Sequence, residues 1–138
     1  MLVRPASPPP GPPPGVGRAA GLAHILLPSS EVAADVDHPG KYADTAIPSL
    51  LADLERLMAA RVRGRLSAKL VGGADMFASS QAEGIGERNR QAVEQILAEL
   101  RIPVGARDLG GRSGRRVTLD PATGRVVVKI PGGSEYEI

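Results

Sequence analysis

No cysteine occurs among the 138 residues of the chain. Disulfides, thiolate metal ligands, iron–sulfur clusters and a cysteine nucleophile are therefore excluded within these residues. Tryptophan is absent, and the aromatic residues are Phe77, Tyr42 and Tyr136, too few for the stacking platforms that grip single-stranded nucleic acid. Excess charge is scarce as well. The 17 Lys and Arg against 15 Asp and Glu leave a formal net charge of +2, not the basic balance of a protein that coats phosphate, so no nucleic-acid partner is implied. No apolar run approaches the ~20 residues of a membrane-spanning helix, and the first residues lack the charged-then-apolar layout of a secretion signal. These absences predict a cytoplasmic protein with no membrane insertion.

The hydrophobic content of 42% suits one modest core at this length, and a second folded domain is not expected. Proline is unevenly spread, with seven of 13 in the first 14 residues. Proline triplets separated by glycine favour solvated polyproline II and supply no apolar face to bury. Residues 1–20 are thus predicted to be a disordered Pro/Gly-rich tail, acting as a spacer rather than as a ligand for a proline-binding module. The folded domain is predicted over 21–138.

Within that domain, GLAHILLP at 21–28 is a short apolar run closed by Pro28, with the length of a buried strand and His24 in its middle. Residues 29–41 read as a polar loop. Ile47, Leu50, Leu51, Leu54, Leu57 and Met58 then recur at three- and four-residue spacings, which predicts a helix. Asp44 or Thr45 is its expected cap, and Pro48 is expected within its first turn. Arg61, Arg63 and Arg65 lead into LSAKLV at 66–71, a strand ended by Gly72 and Gly73. A second helix is predicted from about Gly86 to Leu100, with Ala92, Val93, Ile96, Leu97 and Leu100 as its apolar stripe. VGARD at 104–108 reads as a strand. RRVTLD and RVVVKI around Pro121, Ala122, Thr123 and Gly124 read as a β-hairpin. The fold class predicted is α/β (α+β): a single layered domain in which a mixed β-sheet is packed by two main helices and followed by a C-terminal β-hairpin.

The glycines do not form a phosphate loop. Gly15, Gly17 and Gly21 follow prolines rather than a strand, and Gly72-Gly73 and Gly110-Gly111 lack the Lys-Ser/Thr of such a loop; tight turns or close backbone approach explain them. Asp35, Asp37, His38 and Asp44 match no calcium- or zinc-binding spacing and read as solvated acids. No cofactor and no metal are called for. His24 is different, because an imidazole in an apolar segment needs partners for both ring nitrogens. It is either a core histidine bonded to backbone or a catalytic one.

Six blocks in order, GLAHILLP, YADTAIPSLLADL, AKLVGGADMF, IGERNRQAV, IPVGARDLGGRSGRRVTLD and TGRVVVK, resemble the chemoreceptor glutamine deamidase family, CheD, over nearly all of residues 21–129. The resemblance implies a protein-glutamine glutaminase, a hydrolase that converts glutamine side chains of methyl-accepting chemotaxis receptors to glutamate with a cysteine thiolate, a histidine and a supporting threonine. His24 matches the family histidine. The implied chemistry has the thiolate attack the carboxamide, His24 protonate the departing ammonia, and His24 then activate water against the thioester. Backbone N–H groups of the glycine-rich turns are candidates for the oxyanion site.

The chain departs from that pattern at its start. The family's Gly-Ser-Cys-like strand and its threonine precede the histidine block, and here the proline-rich tail stands in their place. Ser7 is the only hydroxyl residue before His24 and precedes Pro8 with no strand pattern to hold it. One expectation is a working deamidase whose true start lies upstream, the printed start being an annotation or frameshift error. A second is a catalytically inactive module that still binds receptors or a CheC-type phosphatase, with Arg61, Arg63, Arg65, Arg112, Arg115 and Arg116 available to an acidic receptor helix or merely solvating the surface. A third is a structural α/β domain unrelated to chemotaxis. Loss of the strand-bearing segment predicts an uncovered sheet edge, marginal stability and poor activity.

Overall fold

The computed structural model describes residues 2–5, 18–32, 38–75 and 84–138. Seven strands and two α-helices are present among them. β1 (Leu2–Pro5), β2 (Gly21–Leu22), β3 (Leu66–Gly72) and β4 (Val104–Leu109) form a four-stranded sheet in the order β2-β1-β3-β4. β1 runs antiparallel to both its neighbours, whereas β3 and β4 are parallel. The parallel pair is joined through α2 (Ile85–Glu99), the long crossover that a parallel pair needs. β5 (Arg116–Asp120), β6 (Arg125–Lys129) and β7 (Glu135–Glu137) make a separate antiparallel sheet. The mixed sheet, the two main helices and the C-terminal hairpin are therefore all present, and the hairpin gains a third strand.

Helix α1 (Ala43–Met58) buries Ala43, Ala46, Ile47, Leu51 and Leu54, and α2 buries Val93 and Leu97. Both faces close on Leu66, Ala68 and Leu70 of β3, with Val62 and Ile102 completing the same core. Each such large side chain taken out of water contributes about 1.5–3 kcal/mol, which is why the three- and four-residue spacings were legible. Leu57 is the exception on the α1 stripe, being 74% exposed. A smaller core, Val126 and Val128 with Val117, Leu119 and Tyr136, meets Val71 of β3 and so fastens the second sheet to the first.

Several local expectations are corrected. GLAHILLP is not a strand throughout: the strand ends at Leu22, and beyond it the Leu26 and Leu27 N–H groups turn to Lys41 O, leaving only an isolated parallel bridge between Leu27 and Tyr42. Neither Asp44 nor Thr45 caps α1. The Thr45 hydroxyl donates to Pro39 O at 2.6 Å, and Asp44 is occupied by two serines. Pro48 is the sixth helical residue, beyond the first turn, on an exposed face. Residues Leu2–Pro5, read from sequence as unstructured, form a strand lying between β2 and β3, so that edge of β3 is paired. The remainder of the expected tail, residues 1 and 6–17, lies outside the described residues, and so do Ser7, Gly15 and Gly17.

Candidate active site

The peptide after β2 is built as a strut rather than a strand. Leu26 and Leu27 N–H both donate to Lys41 O at 2.9 and 3.1 Å, and Ala43 N–H donates to Leu27 O at 3.0 Å. Three residues on, the Asp44 carboxylate accepts from the Ser30 N–H and from the Ser29 and Ser30 hydroxyls at 2.9–3.1 Å. Burial works against ionisation of Asp44, but these hydrogen bonds outweigh it and hold the carboxyl below its ordinary value. On the opposite side, Asn89 Nδ2 of α2 donates to Leu26 O at 3.0 Å.

This strut presents His24 to solvent. The imidazole is exposed, not enclosed in the core, and it lines two cavities. One, of about 90 Å³, lies between the end of β3 and α2 and is walled by Leu70, Val71, Gly73, Asn89, Val93 and Leu109 among others. The other, of about 430 Å³, opens toward Gly72, Gly73, Ser113, Gly114, Arg115 and Val117, at the lower end of the ~300–1,000 Å³ typical of small-ligand pockets. A histidine at the wall between them can exchange protons with a group placed in either.

The cavity walls explain the paired glycines. Gly72 and Gly73 have φ of +116° and +63°, Gly110 and Gly111 of +76° and +75°, a region that glycine enters without a Cβ penalty. The two turns are tied together by Gly110 N–H to Gly72 O at 2.9 Å and Asp75 N–H to Gly111 O at 3.0 Å. Gly110 N–H is thereby committed and is not an oxyanion donor. A Cβ on Gly86, the second residue of α2, would stand 2.5 Å from Gly73 O, so the helix start rests directly on the β3 turn beside His24.

Arg115 holds the outer wall. Its guanidinium donates to Gly110 O at 2.6 Å, to Ser113 O at 3.0 Å and to both Asp108 oxygens, at 3.0 and 3.4 Å. Its side chain is 9% exposed, so Arg115 is a structural clamp and not a free surface charge. Burial would push the Asp108 carboxyl up, yet the hydrogen bonds from Arg115 and Tyr136 prevail and keep it below its ordinary value. The remaining arginines of the two groups, at 61, 63, 65, 112 and 116, are exposed. On α2, Arg90 is bound to Glu87 and Glu94. The hydrogen bond from Arg90 brings the Glu87 carboxyl down to about 2.

Of the acids considered for a metal, Asp35 and Asp37 lie outside the described residues, and Asp44 is taken up by Ser29 and Ser30. Sequence reasoning missed Asn89. A signal existed: it is four residues before Val93, hence on the buried face of α2, where a poor helix former needs a reason to be.

Comparison with known proteins decides the family. The model described as CheD chemotactic sensory transduction matches residues 26–130. The chain belongs to the CheD family. The match starts two positions after His24. A protein of Clostridium botulinum strain Hall named "Probable chemoreceptor glutamine deamidase CheD" is 44% identical over 127 residues, covering 90% of this chain and 77% of that protein. A second, bearing the same name in strain Alaska E43, is 43% identical over 118 residues, covering 83% and 72%. Membership of CheD removes the alternative of an unrelated structural domain.

Proposed function

We propose that this CheD chain serves chemotaxis in the cytoplasm as a chemoreceptor glutamine deamidase, hydrolysing glutamine side chains of methyl-accepting receptors to glutamate. The observation that carries the reading is the placement of His24: exposed, fixed by a bonded strut, and at the wall of two adjoining cavities in a chain whose relatives bear that name. In the reaction, a thiolate attacks the amide carbon, the C–N bond breaks, and His24 gives its proton to the leaving ammonia. His24 then takes a proton from water as its oxygen attacks the thioester, leaving a carboxylate and a regenerated thiol. No helix among the described residues is long and apolar enough to cross a membrane, which fits a protein that meets receptors from the aqueous side.

The thiolate is not among the 138 residues. That single fact favours a second reading, a module that binds receptors or a CheC-type phosphatase without turning over. Ammonia release from a glutamine-bearing receptor fragment, measured with the protein isolated from its native host, separates the two. The same preparation is weighed intact and treated with a thiol label. Release that disappears in His24→Ala, together with a labelled thiol, supports the deamidase. Receptor binding with no release and no label refutes it and leaves the binding module.

A further inference from the structure

The strut that carries His24 is gripped from two sides, and the grips differ in kind. On one side the Leu26 and Leu27 peptides are held by backbone hydrogen bonds to Lys41 and Ala43. Toward α2 the hold is one side chain, Asn89 Nδ2 on Leu26 O. The Leu26 residue is therefore fastened at its N–H by one element and at its C=O by another, two positions from His24. Asn89 and His24 also line the same small cavity.

The orientation of the Asn89 carboxamide follows from its partner. A carbonyl oxygen only accepts, so the amide NH₂ must face Leu26, and Oδ1 is turned inward. There Oδ1 is buried and has no hydrogen-bond partner among the described residues. Buried acceptors are seldom left this way, and an apolar side chain of similar volume would fill the position with no unpaired oxygen. What the asparagine retains, and leucine would lose, is the grip on the His24 strut.

We infer that Asn89 is a positioning residue for His24, fixing the strut so that the imidazole stays at the cavity wall. The inference rests on the reading of His24 as the acid–base group, and its test separates the two. The chain has two histidines, His24 and His38, so ring spectra of the full chain report the site and carry an internal control. In Asn89→Leu the Leu26 and Leu27 amides should exchange about tenfold faster, the loss of roughly one hydrogen bond. The His24 ring signals should move while those of His38 stay. In preparations that release ammonia, kcat should fall about tenfold or more with KM nearly constant. Asn89→Gln, which keeps the donor, should lie nearer the parent on each measure. If Asn89→Leu does not fold, Asn89→Asp, with the same outline and no NH₂, takes its place in the comparison.

Unchanged His24 signals and strut amides in the donor-lacking variant overturn the positioning role, as does equal behaviour of the Leu and Gln variants. Absence of ammonia release by the parent protein refutes the deamidase reading alone, because the spectra do not depend on turnover.

Discussion

The Tyr136 hydroxyl donates to Asp108 Oδ2 at 2.6 Å, joining the last strand of the second sheet to the last strand of the first. Arg115 completes the contact from the turn between them. Lys69 of β3 reaches the same way, donating to Gly124 O and Ile138 O. The wall of the larger His24 cavity is thus held by charge-assisted hydrogen bonds between sheets, and its properties can be tested one bond at a time.

Tyr136→Phe removes one donor from a carboxylate whose side chain is 16% exposed. A hydrogen bond to a charged group contributes about 1.5–3 kcal/mol. The thermal midpoint should fall by about 3–4 °C per kcal/mol lost. An unaltered melting curve would show that the Tyr136–Asp108 bond adds nothing to the hold between the two sheets.

Asp108→Asn should show its cost as a function of pH. The folded carboxyl lies below its ordinary value, so its stabilisation is complete above the unfolded value of about 3.9 and is lost as pH falls through the folded one. The gap between the parent and Asp108→Asn should be widest near neutral pH and close in strong acid. Denaturant titrations across that range measure it, and a gap independent of pH contradicts the assignment.

Gly86→Ala sets helix propensity against space. Alanine is favoured over glycine in a helix by about 1 kcal/mol, but its Cβ would meet the Gly73 backbone at 2.5 and 2.6 Å. Neither atom belongs to a flexible side chain, so the clash should win by about 1–3 kcal/mol. The same displacement would reshape the small cavity, which a change in the His24 ring spectrum would register. A variant as stable as the parent rules out the close approach.

Pro48→Ala should stabilise. Pro48 sits in the second turn, where its ring opposes the Asp44 carbonyl and supplies no N–H. Restoring that bond, less the gain in unfolded-state freedom, should raise stability by about 1–2 kcal/mol in equilibrium unfolding. A loss would mean that the turn is shaped around the ring.

His24→Ala, by contrast, should leave stability within about 0.5 kcal/mol, because the side chain is exposed. Equal melting temperatures for the two proteins, read by circular dichroism, are the expected result.

Both helices, the β3 strand, the β4 strand and the hairpin were legible in sequence because each displays a period. Ile47, Leu51 and Leu54 recur as a helix requires, and Val126 and Val128 alternate as a strand requires. GLAHILLP has no such signature, since a short apolar run fits a buried strand and a half-exposed strut equally well. Leu2–Pro5 was hidden by the proline-rich composition around it; its pairing depends on the open edge of β3, more than sixty positions away. Arg115 read as a surface charge because nothing local shows that Asp108 and Tyr136 converge on it.

The sequence by itself determined which faces of the helices are apolar, where the chain turns, the CheD membership and the lack of a thiol within these 138 residues. Those properties are local, or are carried by the identity of the residues themselves. The tertiary structure alone decided that His24 faces solvent between two cavities, that Asn89 grips its strut, and that Asp108 unites two sheets. Exposure and hydrogen bonding depend on what distant segments bring alongside a residue, and chain neighbours do not encode that.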